Sequence, residues 1–353
     1  MKAGKTRANI KNIITKIALF FCAVVLVGGG FNATLAGSSS GSGGTTQTNN
    51  NYILIGTGSV NGVYYPAGKA ICKILNADKK LGLRCFHDFS MGKIYNFSGS
   101  LDNLVQSRSK KVDMAISQND WLYYSYSGED LFEKINADKH LRTIITLHTE
   151  SVVAVVRDGI GIETFGDLKG RSMSVGYENS SINLTMAKIF KIAGFTKGDL
   201  DLAKQLKPSE EMQHFCNGKI DAMFIIFGNP NIITSEMLNC GGKIISLPSE
   251  IISAAVKEHP FYVKTILPAS TYKNQLNVIE TIGIKTSLFA RDDMDEKLAY
   301  KITKDIVLGL DNISSSHEAL RGISKNTIVR DVVVPLHNGS LKYFKEAGLV
   351  RSE

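Results

Sequence analysis

Apolar residues along this chain fall into two alternating patterns. Short aliphatic and β-branched runs occur at Tyr52–Ile55, Met114–Ile116, Leu141–Leu147, Val152–Val156, Ser172–Val175, Ala222–Ile226, Lys243–Ser246 and Thr281–Leu288. Between them, apolar positions recur at helical spacing over Ala67–Asn76, Tyr95–Ser107, Ile182–Ala193, Ser209–Asn217, Glu250–Glu258, Asp295–Leu310 and Leu341–Ala347. The first pattern predicts strands and the second predicts helices. Their alternation predicts an α/β fold with mostly parallel sheets, and about 300 residues are enough for two domains with separate cores.

The stretch YILIGTGSVNGVYYPA (52–67) predicts a strand, a glycine-rich turn and a helix N-terminus. Such a turn presents backbone N–H groups and a positive dipole end to an acceptor ligand. It lacks the Lys-Ser/Thr ending of a P-loop and the full spacing of a dinucleotide fingerprint, so a phosphate ligand does not follow from it.

Two other segments resemble each other. Residues 104–116 (LVQSRSKKVDMAI) and 215–223 (FCNGKIDAM) both read as a helix end, a short turn, an aspartate and a small-residue strand. Each would close a βαβ unit whose strand end faces a ligand crevice. Glu150 to Arg157 reads as a strand crossing from one unit to the next, which in a two-lobed binding protein is the hinge.

The N-terminus changes the compartment. Lys2, Lys5, Arg7, Lys11 and Lys16 precede an apolar run from Ile17 to Val27, three glycines, and a small-residue cleavage site at Thr34-Leu35-Ala36. This predicts a signal peptide over 1–36 and export to the periplasm, with an uncleaved membrane anchor as the alternative. Residues 37–51, rich in Gly, Ser, Thr and Asn, predict a flexible tether. Five excess positive charges lie in the signal, so the formal +8 falls to +3 on its removal. No basic stripe for nucleic acid remains.

Four cysteines follow the signal: Cys72, Cys85, Cys216 and Cys240. In an exported chain an even number points to disulfides, with three possible connectivities. The local pairing Cys72–Cys85 and Cys216–Cys240 keeps each bridge within one unit; four buried thiols are the alternative. Neither pair has zinc spacing and the histidines are scattered, so no metal and no cofactor are expected.

With these pieces in order, the chain resembles the TAXI-type solute receptors of TRAP transporters. The matching segments are GTGSVNGVYYPAG (56–68), AISQNDW (115–121), FGDLKG (165–170), CNGKIDAM (216–223), GNPN (228–231) and PLHNGSLKYFKEAGL (335–349). The resemblance implies a type II periplasmic-binding-protein-like fold, in which a hinge joins two lobes. It further implies a small organic acid or amino acid, glutamate-like, held between the lobes and delivered to a TRAP-type membrane permease. On this reading lobe 1 comprises 52–150 plus 250–353, lobe 2 comprises 151–249, and the mature chain is a monomer.

The candidate ligand contacts follow from strand ends and helix starts. From the first lobe they are Thr57, Gly58, Ser59 and Tyr64 of the glycine turn, and Gln118, Asp120 and Trp121 after the 114–116 strand. From the second they are Ser180, Ser181 and Asn183 at a helix start, and Gly228, Asn229 and Pro230 after the 222–226 strand. Two departures from the family pattern affect the ligand. Asn183 stands where many relatives carry an arginine, and Asn229 replaces a frequent histidine, so position 183 offers no bidentate pairing to a carboxylate. Lys93, with Tyr95 beside it, is a candidate source of the missing positive charge.

Other functions compete with this one. An enzyme would use Asp120, Asp221, Glu178 or Ser180, but the chain has no G-x-S-x-G elbow between a predicted strand and helix and no HExxH, so no enzyme is expected. A binding subunit of another transporter or of a sensor would share the same fold. A surface antigen with a vestigial pocket is compatible with the two departures.

Overall fold

The computed structural model describes residues 52–88, 99–176, 180–202, 206 and 208–351. The predicted signal peptide, the tether, Lys93, Tyr95 and Glu178 lie outside the described residues. Among the described residues ten strands form one mixed sheet: β1 (Tyr52–Gly56), β2 (Arg84–Asp88), β3 (Met114–Gln118), β4 (Leu141–Arg157), β5 (Ser172–Ser174), β6 (Asp201–Leu202), β7 (Ala222–Phe227), β8 (Gly242–Ile245), β9 (Tyr262–Leu267) and β10 (Ile279–Arg291). The order is β2-β1-β3-β10-β4-β7-β5-β6, with β8 on β4 and β9 on β10.

This order contains the same arrangement twice. In one half β1 runs parallel to β2 and β3. In the other β5 runs parallel to β6 and β7. The two strands between them run antiparallel to their neighbours, β10 to β3 and β4 to β7. The expectation of mostly parallel pairing therefore holds for the outer sets and not for the centre. The segments 104–116 and 215–223 occupy equivalent places, each ending in the third parallel strand of its half.

Two long strands join the halves. The predicted runs 141–147 and 152–156 are one strand of 17 residues, buried almost throughout. It pairs with the 13-residue β10, with register shifts between Lys285 and Ser287 and between Leu288 and Phe289. At their crossing a Cβ on Gly283 would lie 2.5 Å from Thr149 Cγ2, so only glycine lets the strands approach this closely.

Helices α1 (Tyr64–Ala77), α2 (Ser100–Arg108), α3 (Asn119–Ser127), α4 (Ser181–Ile192), α5 (Pro208–Cys216), α6 (Ile232–Asn239), α7 (Ser249–Glu258), α8 (Glu296–Leu308), α9 (Leu310–Ser314) and α10 (Asn338–Glu346) cover the sheet. In α1 the buried positions Tyr64, Ala67, Ala70, Ile71 and Leu75 form one stripe, as a helix lying on a sheet requires. Helix α8 starts where Asp295 accepts from the Leu298 N–H at 2.8 Å. The chain after α9 stays with the first half, where the Thr143 N–H donates to the Pro335 carbonyl and the His337 N–H donates to the Thr143 carbonyl, each at 2.9 Å.

The segment between residue 250 and β10 packs on both halves. Leu267, Tyr272 and Ile279 share a core with Val153, Phe215, Ile225 and Met237 of the second half. Phe261, in the same segment, packs on Tyr123 and Tyr124 of the first half.

Cys72 and Cys85 are bonded, as are Cys216 and Cys240, with Cα separations of 4.9 and 5.3 Å. The first ties α1 to β2, and the second ties the end of α5 to the end of α6. Replacing both Cys72 and Cys85 by serine should lower stability by about 2–3 kcal/mol, read as a lower urea midpoint, because the unfolded chain regains the freedom of the closed loop.

Candidate functional site

A cavity of about 610 Å³ opens between the halves. On the first half it is bordered by the turn after β1, the start of α1, and the ends of β3 and the first segment of β4. On the second it is bordered by Gly176, the start of α4, α5, β7 and α6. Strand ends and helix starts meet here because the order reverses beside β1 and β5, which is where open α/β sheets leave a crevice.

Asn103 holds the first wall in place. Its Nδ2 donates to the carbonyls of Gly56, Thr57 and Ile116 at 3.3, 2.8 and 2.7 Å, which binds the glycine turn to the end of β3. A side chain at Gly56 would meet Asn103 Oδ1 at 2.7 Å. Gly58 and Ser59 then face the cavity, whereas Thr57 is buried behind them. Asn103 lies in a helix interior, and its role was not legible in sequence.

The floor is a linked polar set. The Tyr64 hydroxyl lies 3.1 Å from Ser100 Oγ, which also accepts from the Gln118 N–H at 2.9 Å. Gln118 Nε2 donates to Glu150 Oε2 at 2.7 Å. His148 Nε2 stands 3.4 Å from Glu150 Oε1, without the alignment of a hydrogen bond, while its Nδ1 is 3.0 Å from Thr286 Oγ1. Burial, reinforced by the Glu150 charge, raises the Tyr64 phenol well above its ordinary value, so it stays protonated. Ser100 and Glu150 were missed by sequence reasoning. A lone carboxylate inside the apolar run of β4 was the available signal for Glu150.

On the opposite wall Ser180 caps α4, its Oγ accepting from the Asn183 N–H at 3.2 Å, and Ser181 is the first helical residue. Both line the cavity. Glu211 also lines it, with Oε1 accepting from Ser174 Oγ at 2.6 Å. Burial pushes the Glu211 carboxyl up, against the opposing bonds from Ser174 and the Gly176 backbone. Ile182, Met212, Ile225, Phe227, Ile232 and Ile233 make most of the rest of this wall apolar, with Glu236 beside them.

Several expected contacts lie elsewhere. Asn229 is committed within its own loop: Nδ2 donates to the Phe227 carbonyl at 2.9 Å, and Oδ1 accepts from Asn231 Nδ2 and the Tyr272 hydroxyl. Gly228, Asn229, Pro230 and Asn183 are not among the cavity-lining residues. Gly228 instead abuts the first half: a Cβ there would lie 2.7–2.9 Å from Val63, Ala319 and His148 side-chain atoms. Trp121 is fully buried in the shared core against Tyr124. Asp120 faces away from the cavity, accepting from the Trp121 N–H at 2.8 Å and from Thr185 Oγ1 of the second half at 3.1 Å. A residue directly after a strand end turns to the crevice or to the core according to the helix that follows, and α3 begins at once.

Burial raises the Asp120 carboxyl to about 7, against the opposing Trp121, Thr185 and Lys188 groups. The folded chain then holds a proton there between about pH 4, where an unfolded aspartate titrates, and about pH 7. Over that window the unfolded state binds fewer protons, so stability falls as pH rises, by up to about 1.4 kcal/mol per pH unit. Burial also raises the Asp102 carboxyl to about 7, so urea midpoints at pH 5 and pH 8 should show the combined slope and Asp120→Asn should reduce it without abolishing it.

Among the described residues no group of three or more His, Cys, Asp or Glu is placed to hold a metal. No described helix is long and apolar enough to cross a membrane.

The NMT1-like family profile matches residues 55–348. Among solved structures, the periplasmic sulfonate-binding protein SsuA from Methylobacillus flagellatus KT is similar at 14% identity and a TM-score of 0.48, covering 86% of this chain and 88% of that one. XAC2383 from Xanthomonas citri, bound to ATP, is similar at 9% identity and a TM-score of 0.49, covering 85% and 97%. The periplasmic aliphatic sulphonate-binding protein SsuA from Escherichia coli is similar at 15% identity and a TM-score of 0.44, covering 75% and 72%.

Proposed function

The chain belongs to the NMT1-like family, and from that premise we propose that it is an extracytoplasmic solute-binding receptor. It captures a small organic acid or amino acid between two lobes and passes it to a membrane permease. One observation carries the reading: a cavity of about 610 Å³ lies between two topologically equivalent halves that are joined by crossing strands. Such a joint suits closure around a guest, and a lining of hydroxyl, amide and carboxylate groups over apolar surface suits reversible capture.

The finer parts of the reading rest on the sequence, through the family resemblance for the permease, ligand class and oligomeric state and through the N-terminal pattern and the cysteine and histidine spacing for the rest. They are a TRAP-type permease, a glutamate-like ligand class, a periplasmic location reached through a signal peptide, and a monomeric mature chain without cofactor. In this reading the lobes divide at β4 and β10. Gly58, Ser59, Tyr64, Gln118, Ser180 and Ser181 contact the solute, which is bound without turnover.

Native mass spectrometry of gently purified mature protein tests the reading. A small molecule retained one-to-one is the expected result. A protein that arrives empty and takes up nothing from a periplasmic extract would overturn it. The permease assignment predicts that loaded receptor drives uptake into vesicles holding a TRAP-type permease, and fails if only vesicles with an ATP-driven importer respond.

A further inference from the structure

We infer that the crevice seats a solute bearing an ammonium group, held on Glu150, which narrows the ligand to amines and amino acids. This rests on the receptor reading above and goes beyond it in naming the head group. Glu150 is only 6% exposed, yet it lines the cavity. One of its oxygens is taken by Gln118 Nε2 at 2.7 Å, and among the described residues the other has only the misaligned His148 ring at 3.4 Å.

A carboxylate so deeply placed is costly unless a cation or strong donors reach it. Among the described lining residues the charged groups are Glu150, Glu211 and Glu236, and no lysine, arginine or histidine is present. A dicarboxylate would add negative charge to a wall that already carries it. An ammonium reverses that balance with charge-assisted hydrogen bonds.

The neighbouring groups supply further acceptors. Gln118 has committed its amide nitrogen to Glu150, which leaves its carbonyl oxygen for an ammonium proton. The Tyr64 and Ser59 hydroxyls border the same wall. For an amino acid, the carboxylate would lie toward Ser181 at the start of the 12-residue α4 on the facing wall.

Calorimetry on the mature chain, stripped of retained solute, tests this with pairs that differ only in the amino group: L-leucine with 4-methylpentanoate, and L-glutamate with glutarate. In at least one pair the amine member should bind 50-fold or more tighter than its partner. Glu150→Gln should abolish that preference while its thermal melt confirms folding, and Glu150→Asp should retain part of it.

Equal or tighter binding of the deaminated members, or a preference that survives Glu150→Gln, overturns the ammonium seat and leaves the receptor reading standing. If neither pair binds, native mass spectrometry decides: a retained molecule with an amine supports the seat, and one without it overturns the seat alone. No binding and no retained molecule overturns both.

Discussion

Asn103→Ala should lower folding stability by about 3 kcal/mol and weaken solute binding more than ten-fold. The side chain is 2% exposed, and its one amide nitrogen serves three backbone carbonyls, those of Gly56, Thr57 and Ile116. Alanine leaves those carbonyls without this partner, and each buried unpaired acceptor costs about 1–3 kcal/mol. Water entering the space would recover part of that, hence the lower end of the sum. The binding loss has a separate origin. Gly58 and Ser59 border the cavity only because the turn is fixed to β3 through this bond set. Urea unfolding and solute titration on the same variant separate the two effects, and a variant that binds normally would show that the turn holds its shape without Asn103.

Gly228→Val should leave each half folded and reduce affinity about 10- to 100-fold. Gly228 has no left-handed backbone requirement; the exclusion is spatial, since even a methyl group would press on Val63, Ala319 and His148 at 2.7–2.9 Å. Those three side chains belong to the first half and Gly228 to the second. Overpacking at such a contact costs about 1–3 kcal/mol. The halves can avoid it by separating, so the cost falls on the closed arrangement. A solute that bridges both walls must then supply that energy, and each 1.4 kcal/mol is a factor of ten in affinity. Small-angle scattering should report a larger radius of gyration than wild type in the presence of the same solute. Unchanged affinity and unchanged scattering would mean that the contact does not limit closure.

Much of the fold was legible because alternation of strand and helix is written in apolar spacing. The glycine turn, the helix after it and both disulfide pairings needed only local sequence. What escaped was non-local. The run to Leu147 and the crossing strand from Glu150 read as two elements with His148 and Thr149 between them, yet all continue one strand, and Gln118 and Thr286 meet its side chains there. The polar stretch that hid the continuity holds Glu150, which lines the cavity. Asn229 was rightly placed after a strand, but Tyr272, 43 positions away, turns its side chain from the crevice. Strand β2 went unread because Arg84-Cys85-Phe86-His87-Asp88 is short and polar at an edge. Trp121 and Asp120 were expected beside Gln118 in the crevice, and the immediate start of α3 carries both into the core and the contact with α4.

The most direct test of the central claim is a crystal structure of protein purified without any step that strips bound solute. The account predicts discrete density for a small molecule between Gln118 and Glu150 on one side and Ser180 and Ser181 on the other, with the two halves drawn together over it. A space between the halves filled by the chain's own side chains, with no room for a guest, would contradict it.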